Sequence, residues 1–192
     1  MSALLNRLHL YDSYPIPPDL RCIRVLRVHA PHTNEGEIKC DMTVVHLDSN
    51  TPFTALSYVW GSPECSDRSL RCGHASLPVT LNCHSALWHL RKKLGSFCIW
   101  VDSVCIDQTN AQEKVQQIAL MKEIYRKAEH VYVWLGPGSP ATQRAVSPFR
   151  YWRITRSTSI VSMEDIENLL DATWTQRIWT YQEIVLASRP VL

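Results

Sequence analysis

A chain of 192 residues is long enough for one domain with a real hydrophobic core. Its 45% apolar and 20% charged content is that of a globular protein and excludes a disordered one. Twenty basic against eighteen acidic side chains leave a formal charge of +2, and no basic run interleaves with aromatics, so no nucleic-acid partner is expected.

Residues 1–10 are too short and too interrupted for a signal sequence, and no uncharged apolar run of spanning length follows. The expectation is a cytoplasmic protein with no membrane partner. Seven cysteines, an odd number in apolar settings such as Phe97-Cys98-Ile99 and Val104-Cys105-Ile106, read as reduced, buried thiols. Cys65, Cys72, His74, Cys83 and His84 lack the paired knuckle spacing of a zinc site, so no metal is expected.

Residues 1–20 carry Pro15, Pro17 and Pro18 and form an irregular lead-in. Ile23–Val28 and Ile38–Val45 are strand-like, with Asn34-Glu-Gly36 between them as a hairpin turn. A third strand, Thr54–Trp60, is uncharged and largely apolar, as a strand buried on both faces should be, and ends at Gly61-Ser-Pro63. Cys83, Leu87, Leu90 and Leu94 lie on one helical stripe, with Asn82 as a cap and Gly95 as the stop.

Phe97–Asp102 then makes a buried strand that delivers Asp102 to its carboxyl end. Asn110-Ala-Gln-Glu113 has the form of a capping box, and the helix it opens should present Ile118, Met121, Tyr125 and Ala128 to the core. His130–Gly136 is another buried strand. Residues 137–160 read as a loop over the strand ends, Ser162 opens a short helix, and a last helix runs from Trp174 to about Ala187. Residues 189–192 look like the start of one more strand, cut short. Alternation of strands and helices predicts a parallel, right-handed α/β sheet, with ligands at the carboxyl ends of its strands.

Several side chains could carry chemistry at that edge. Glu183 lies one helical turn beyond Trp179, and a carboxylate beside a large aromatic is partly desolvated, which suits it to hydrogen-bonding or proton work. The plain alternative is a solvated glutamate near Arg177 or Arg189. Asp102 and Asp107 could hold Mg²⁺ for phosphoester hydrolysis or cap the loop that follows their strand. Ser57, Tyr58, Trp60 and Gly61 end the neighbouring strand, either as a ligand edge or as a tight strand exit packed by aromatics. No nucleophilic triad, no dinucleotide-binding glycine motif and no P-loop is present.

Three blocks together resemble the fungal heterokaryon-incompatibility (HET) domain. They are Ala55-Leu-Ser-Tyr-Val-Trp-Gly61; Trp100-Val-Asp-Ser-Val-Cys-Ile-Asp-Gln108 running on through Glu113, Gln117, Tyr125 and Trp134-Leu-Gly136; and Trp174-Thr-Gln-Arg-Ile-Trp-Thr-Tyr-Gln-Glu183. Val101 and Asp107 stand where the family more often shows Ile and Asn. The resemblance divides the chain into a lead-in and hairpin over 1–52 and a HET domain over 53–192, cut short at its C-terminus.

The HET family is in turn similar to TIR domains, and Trp179-Thr-Tyr-Gln-Glu183 is similar to the TIR pattern of Trp, three residues and a catalytic glutamate. The resemblance implies a flavodoxin-like (TIR-like) parallel sheet flanked by helices, with an N-terminal β-hairpin annex. It also implies an NAD⁺ glycohydrolase that needs no cofactor beyond its substrate. Glu183 would stabilise the leaving of nicotinamide, with Ser57, Tyr58, Trp60, Gly61, Asp102 and Trp179 around the substrate. As partners it implies NAD⁺, other copies of the chain, and an upstream receptor or allorecognition protein. The competing class is a non-catalytic signalling module that oligomerises and recruits partners.

Overall fold

A computed structural model describes residues 10–17, 21–31, 36–61, 68–138 and 189–191. Within them the elements run β1 (Cys22–Val28), β2 (Ile38–His46), β3 (Thr54–Tyr58), β4 (Ser69–Cys72), β5 (Ala75–Pro78), α1 (Leu81–Leu94), β6 (Phe97–Trp100), α2 (Asp102–Cys105), α3 (Ala111–Lys127), β7 (Val131–Trp134) and β8 (Pro190–Val191). The strands form one mixed sheet in the order β5-β4-β2-β1-β6-β3-β7-β8.

The parallel half contains β6, β3, β7 and β8. Numbered along the chain from β3, these strands lie in the order 2-1-3-4, the arrangement of flavodoxin-like sheets. All five residues of β3 are buried, Thr54 and Ser57 included, as befits a central strand covered on both faces. Right-handed crossovers send the α1 and α3 connections to opposite faces. The contacts agree with this. Leu90 of α1 shares a small cavity with Leu56, whereas Tyr125 of α3 meets Trp100 edge-on at 5.6 Å. Trp100 pairs in register with Ala55, one residue from Leu56 and hence on the other face.

The N-terminal hairpin is present, with Cys22–Val28 paired antiparallel to Cys40–His46. It is continuous with the central sheet, because Leu26–Val28 bond antiparallel to Phe97–Ile99. β4 and β5 extend the sheet beyond β2 and have no counterpart in the sequence reading. Pro190 and Val191 do pair with β7, as the strand-like end of the chain suggests.

Helix ends follow capping chemistry with two departures from expectation. Thr80, not Asn82, caps α1: its hydroxyl accepts from the Cys83 amide at 3.3 Å. Gly95 ends that helix at φ 75°, a left-handed value that glycine adopts without strain. Asn110 caps α3 by accepting from the Glu113 amide at 3.1 Å. The Glu113 carboxylate does not return the bond to Asn110, being drawn instead to Asp107 N and Arg24.

Arg24 is the largest fully buried charged group among the described residues, at 1% exposure. It meets Glu113 through both guanidinium ends, at 2.5 and 3.0 Å, donates to Tyr14 O at 2.7 Å and Cys105 O at 3.2 Å, and lies 4.7 Å from the Tyr11 ring centre. Removing one member of such a pair leaves the other charge buried and alone. Glu113→Ala should therefore lower the unfolding free energy by about 3–5 kcal/mol. Urea titration checks this, and an unchanged midpoint would show that the pair is not structural.

The buried face of α3 consists of Gln117, Ile124 and Tyr125, with Ala128 just beyond its end. Leu120 and Met121 pack partly against the core, but Ile118, expected inside, is 43% exposed. The inward stripe is rotated because Gln117 turns in to donate to Cys22 O at 2.9 Å. Ile118→Asp should stay within about 0.5 kcal/mol of wild type, as exposed substitutions do. Ile124→Asp should unfold the domain, since a buried unpaired carboxylate costs several kcal/mol. Paired thermal melts decide, and equal losses in the two variants would contradict the assigned face.

Candidate functional site

In a 2-1-3-4 sheet the chain switches direction between the first and third strands, and a crevice opens at their carboxyl ends. Here those strands are β3, ending at Tyr58, and β7, ending at Trp134. Asn82, in the first turn of α1, spans the gap between them. Its amide donates to Val59 O at 2.5 Å, and its side-chain oxygen accepts from Trp134 Nε1 at 2.7 Å. One side chain thus satisfies a strand-exit carbonyl and an indole N–H from two strands.

Beyond Val59 the chain leaves β3 through Trp60 and Gly61. Gly61 takes φ 76°, where any side chain would be strained. Space is not the constraint, since a Cβ on this residue would come no nearer than 3.8 Å to its closest neighbour, Asn82 Cβ. Trp60 turns toward β6 and donates from Nε1 to Asp102 Oδ2 at 2.8 Å. Asp102 and Gly61 therefore share the carboxyl edge, as the sequence predicts. The Asp102 Oδ1 atom accepts from Ser103 N at 2.7 Å, which fixes the carboxylate at the start of α2. The indole stays 37% exposed, so it is a large aromatic surface held by its N–H and open to solvent.

The other residues expected at this edge are placed less openly. Tyr58 is buried on the α1 side, with its hydroxyl 2.5 Å from Ser103 Oγ. Burial pushes its phenol well above the usual range, so it is neutral near pH 7. Cys83 lies beside it, and burial pushes that thiol up to about 12, which removes it as a nucleophile. Ser57 is 1% exposed and alternates to the opposite face from Tyr58. Glu183 and Trp179 lie outside the described residues.

The two aspartates have separate roles. Asp107 Oδ1 accepts from both Thr109 N, at 3.0 Å, and Thr109 Oγ1, at 2.7 Å, an Asx turn that leads into α3. Among the described residues no three His, Cys, Asp or Glu side chains gather in a way that could hold a metal ion. No helix among them is long and apolar enough to cross a membrane.

Asn82, Ser103 and Trp134 escaped the sequence reading as parts of this edge. The one signal in the sequence was Thr80, three residues ahead of Cys83, which takes the cap and releases Asn82 for another role. Asn82→Ala would strip partners from Val59 O and Trp134 Nε1 together. The expected loss is about 1–3 kcal/mol in chemical denaturation, and wild-type stability in that variant would refute the bridging role.

The profile of the family described as "Heterokaryon incompatibility protein (HET)" matches residues 53–183. "Heterokaryon incompatibility protein 6, OR allele" from Neurospora crassa is 23% identical over 234 aligned positions, covering 95% of this chain and 34% of that protein. "Vegetative incompatibility protein HET-E-1" from Podospora anserina is 28% identical over 141 positions, covering 70% of this chain and 9% of that protein. The chain thus spans about a third of the first relative and under a tenth of the second. No solved structure matches it. On the match over residues 53–183, the chain belongs to the heterokaryon incompatibility (HET) family.

Proposed function

We propose that this chain is a TIR-like NAD⁺ glycohydrolase that serves, once self-associated, as a cytoplasmic cell-death effector in fungal incompatibility. The observation that carries the reading is Trp179-Thr-Tyr-Gln-Glu183, with its aromatic-to-glutamate spacing similar to that of TIR domains. Two further facts support it. The parallel strands follow the flavodoxin-like order, and an exposed, tethered indole stands at the carboxyl edge where such sheets take ligands. The incompatibility role rests on the family and on the names of the two relatives.

In this mechanism the bond between nicotinamide and the ribose anomeric carbon breaks, and positive charge develops on the sugar. The Glu183 carboxylate stabilises that oxocarbenium-like state and holds ribose hydroxyls, and water then adds to the anomeric carbon. Trp60 offers its open face to a ring of the substrate, while Asp102 keeps the indole in place. The reaction needs no cofactor and no metal. Other copies of the chain and an upstream receptor are the proposed partners.

A second reading is a non-catalytic module that oligomerises and recruits partners. The burial of Ser57 and Tyr58 favours it, since both are withdrawn from the surface on which a substrate would sit. Nicotinamide release from NAD⁺ by crowded or tethered protein separates the two. Glu183→Gln should lose about 10²–10³ in rate, as for other single charge-stabilising groups, with the melting temperature unchanged. Equal turnover in wild type and variant would refute the catalytic role of Glu183. No turnover in either, from verified oligomers, would favour the recruiting module instead.

A further inference from the structure

The half of the sheet remote from the strand-end edge carries a second pair of reactive groups. β2 and β4 run parallel, with Cys40 directly opposite Cys72. Both face inward, for Ile38, Cys40 and Met42 alternate toward the core on β2, as Leu70 and Cys72 do on β4. Both are free thiols, and each shifts the other's ionisation. Adjacent strands lie about 4.7–4.9 Å apart, within the Cα separation of about 4.4–6.8 Å that a disulfide spans.

The pair is asymmetric. Cys40 is held well above the ordinary thiol range, first by its hydrogen bond to Cys72 and then by burial. Cys72 is lowered, because the same bond favours its thiolate. Cys72 also lines a pocket of about 380 Å³ with Leu10, Ser13, Tyr14 and His74, room enough for a water-sized oxidant. Cys83 and Cys105 have no cysteine opposite them in a strand register, and burial pushes both thiols up to about 12.

We propose that Cys40 and Cys72 form a modification site, a dithiol that hydrogen peroxide converts to a disulfide. The Cys72 thiolate attacks one peroxide oxygen, breaking the O–O bond to give a sulfenic acid and hydroxide, which takes up a proton to become water. The Cys40 sulfur then attacks Cys72 Sγ, forming the S–S bond, and the sulfenic oxygen leaves as a second water carrying the Cys40 proton. Two thiols lose two electrons and one peroxide gains them. The product clamps the β4–β5 hairpin to β2, at the far end of the sheet from Trp60 and Asp102. The site stands independently of the NAD⁺ reading.

The test treats reduced full-length protein with hydrogen peroxide, alkylates it under denaturing conditions and maps it without reduction by mass spectrometry. The expected product is a peptide pair joined through Cys40 and Cys72, lighter by two hydrogens and reopened by a thiol reductant. In Cys40→Ser the second step is blocked, so Cys72 should accumulate as a sulfenic acid captured by a dimedone probe several-fold above wild type. Recovery of both thiols alkylated, at peroxide doses that exhaust a free-thiol control, would overturn the proposal. So would unlinked over-oxidised forms, or a link from either residue to any other cysteine. The wild-type map decides by itself if the variant does not fold.

Discussion

A guanidinium in the core must be neutralised where it lies, and most of the architecture around the candidate site follows from how this chain neutralises Arg24. The residue is fixed on β1, deep in the sheet, and its partner comes from the first turn of α3, eighty-nine residues later. Glu113 cannot reach it unless the loop between α2 and α3 folds tightly. That loop is gathered by the same carboxylate, which also accepts from Asp107 N at 2.7 Å. The guanidinium also donates to Cys105 O, closing the end of α2. Tyr11 completes the enclosure: its ring lies against the guanidinium and its hydroxyl donates to Val104 O at 2.9 Å. One buried charge thus ties the N-terminal turn, β1, α2 and α3 together. Asp102, the first residue of α2, inherits its position from that arrangement.

The strand-end edge is built by a second set of bonds, this time between neutral groups. β3 and β7 lie side by side, with Tyr58 opposite Trp134, so their exits diverge at one point in space. A diverging pair of strands leaves carbonyl and indole groups that no ladder can satisfy, and each would carry a desolvation cost if left bare. Asn82 answers both with the donor and the acceptor of a single amide. Trp60 is then the first large side chain beyond the fixed segment, and its N–H finds Asp102 just past the end of the next strand over. The outcome is an aromatic side chain anchored through its polar atom, with 37% of its surface left open to solvent. Anchored, solvent-facing aromatics of this kind are suited to stacking on planar rings.

The parts of this fold legible in the sequence are those where a single local pattern decides the matter. Thr54–Tyr58 carries no charge and only two small hydroxyls beside its apolar residues, the pattern of a doubly covered strand, and Gly95 has the conformational freedom of a helix stop. The placement of Asp102 beside Gly61 followed from the general geometry of parallel sheets rather than from any motif. What stayed hidden depends on long-range partners. β4 and β5 are four residues each, with mixed polarity, and become strands because β2 offers an edge to extend. Ile118 carries the right spacing for the core but is displaced by Gln117, whose amide has a carbonyl to reach on β1. Glu113 fits a capping box, yet a buried arginine is a stronger partner than a helix-end amide. In each case a tertiary bond outranked a local preference.

The division of the sheet into two halves also bears on how the molecule can change without losing its fold. The parallel half holds the crevice, and its strands are fixed from both faces by α1 and α3. The other half, of mixed pairing, ends in a short hairpin, β4–β5, held to β2 by three register pairs. Short terminal strands are where a sheet opens first, since few buried contacts are lost when they leave. Arg24 stands between the halves, on the strand shared by β2 and β6. A shift in the hairpin can reach the strand-end edge by two routes: through β2 to β1, where it meets a guanidinium bonded to three separate elements, and through the two residues that join β5 to α1, whose first turn carries Asn82. The buried ion pair stiffens the first route, whereas the second bypasses it and ends at the one amide that holds both strand exits.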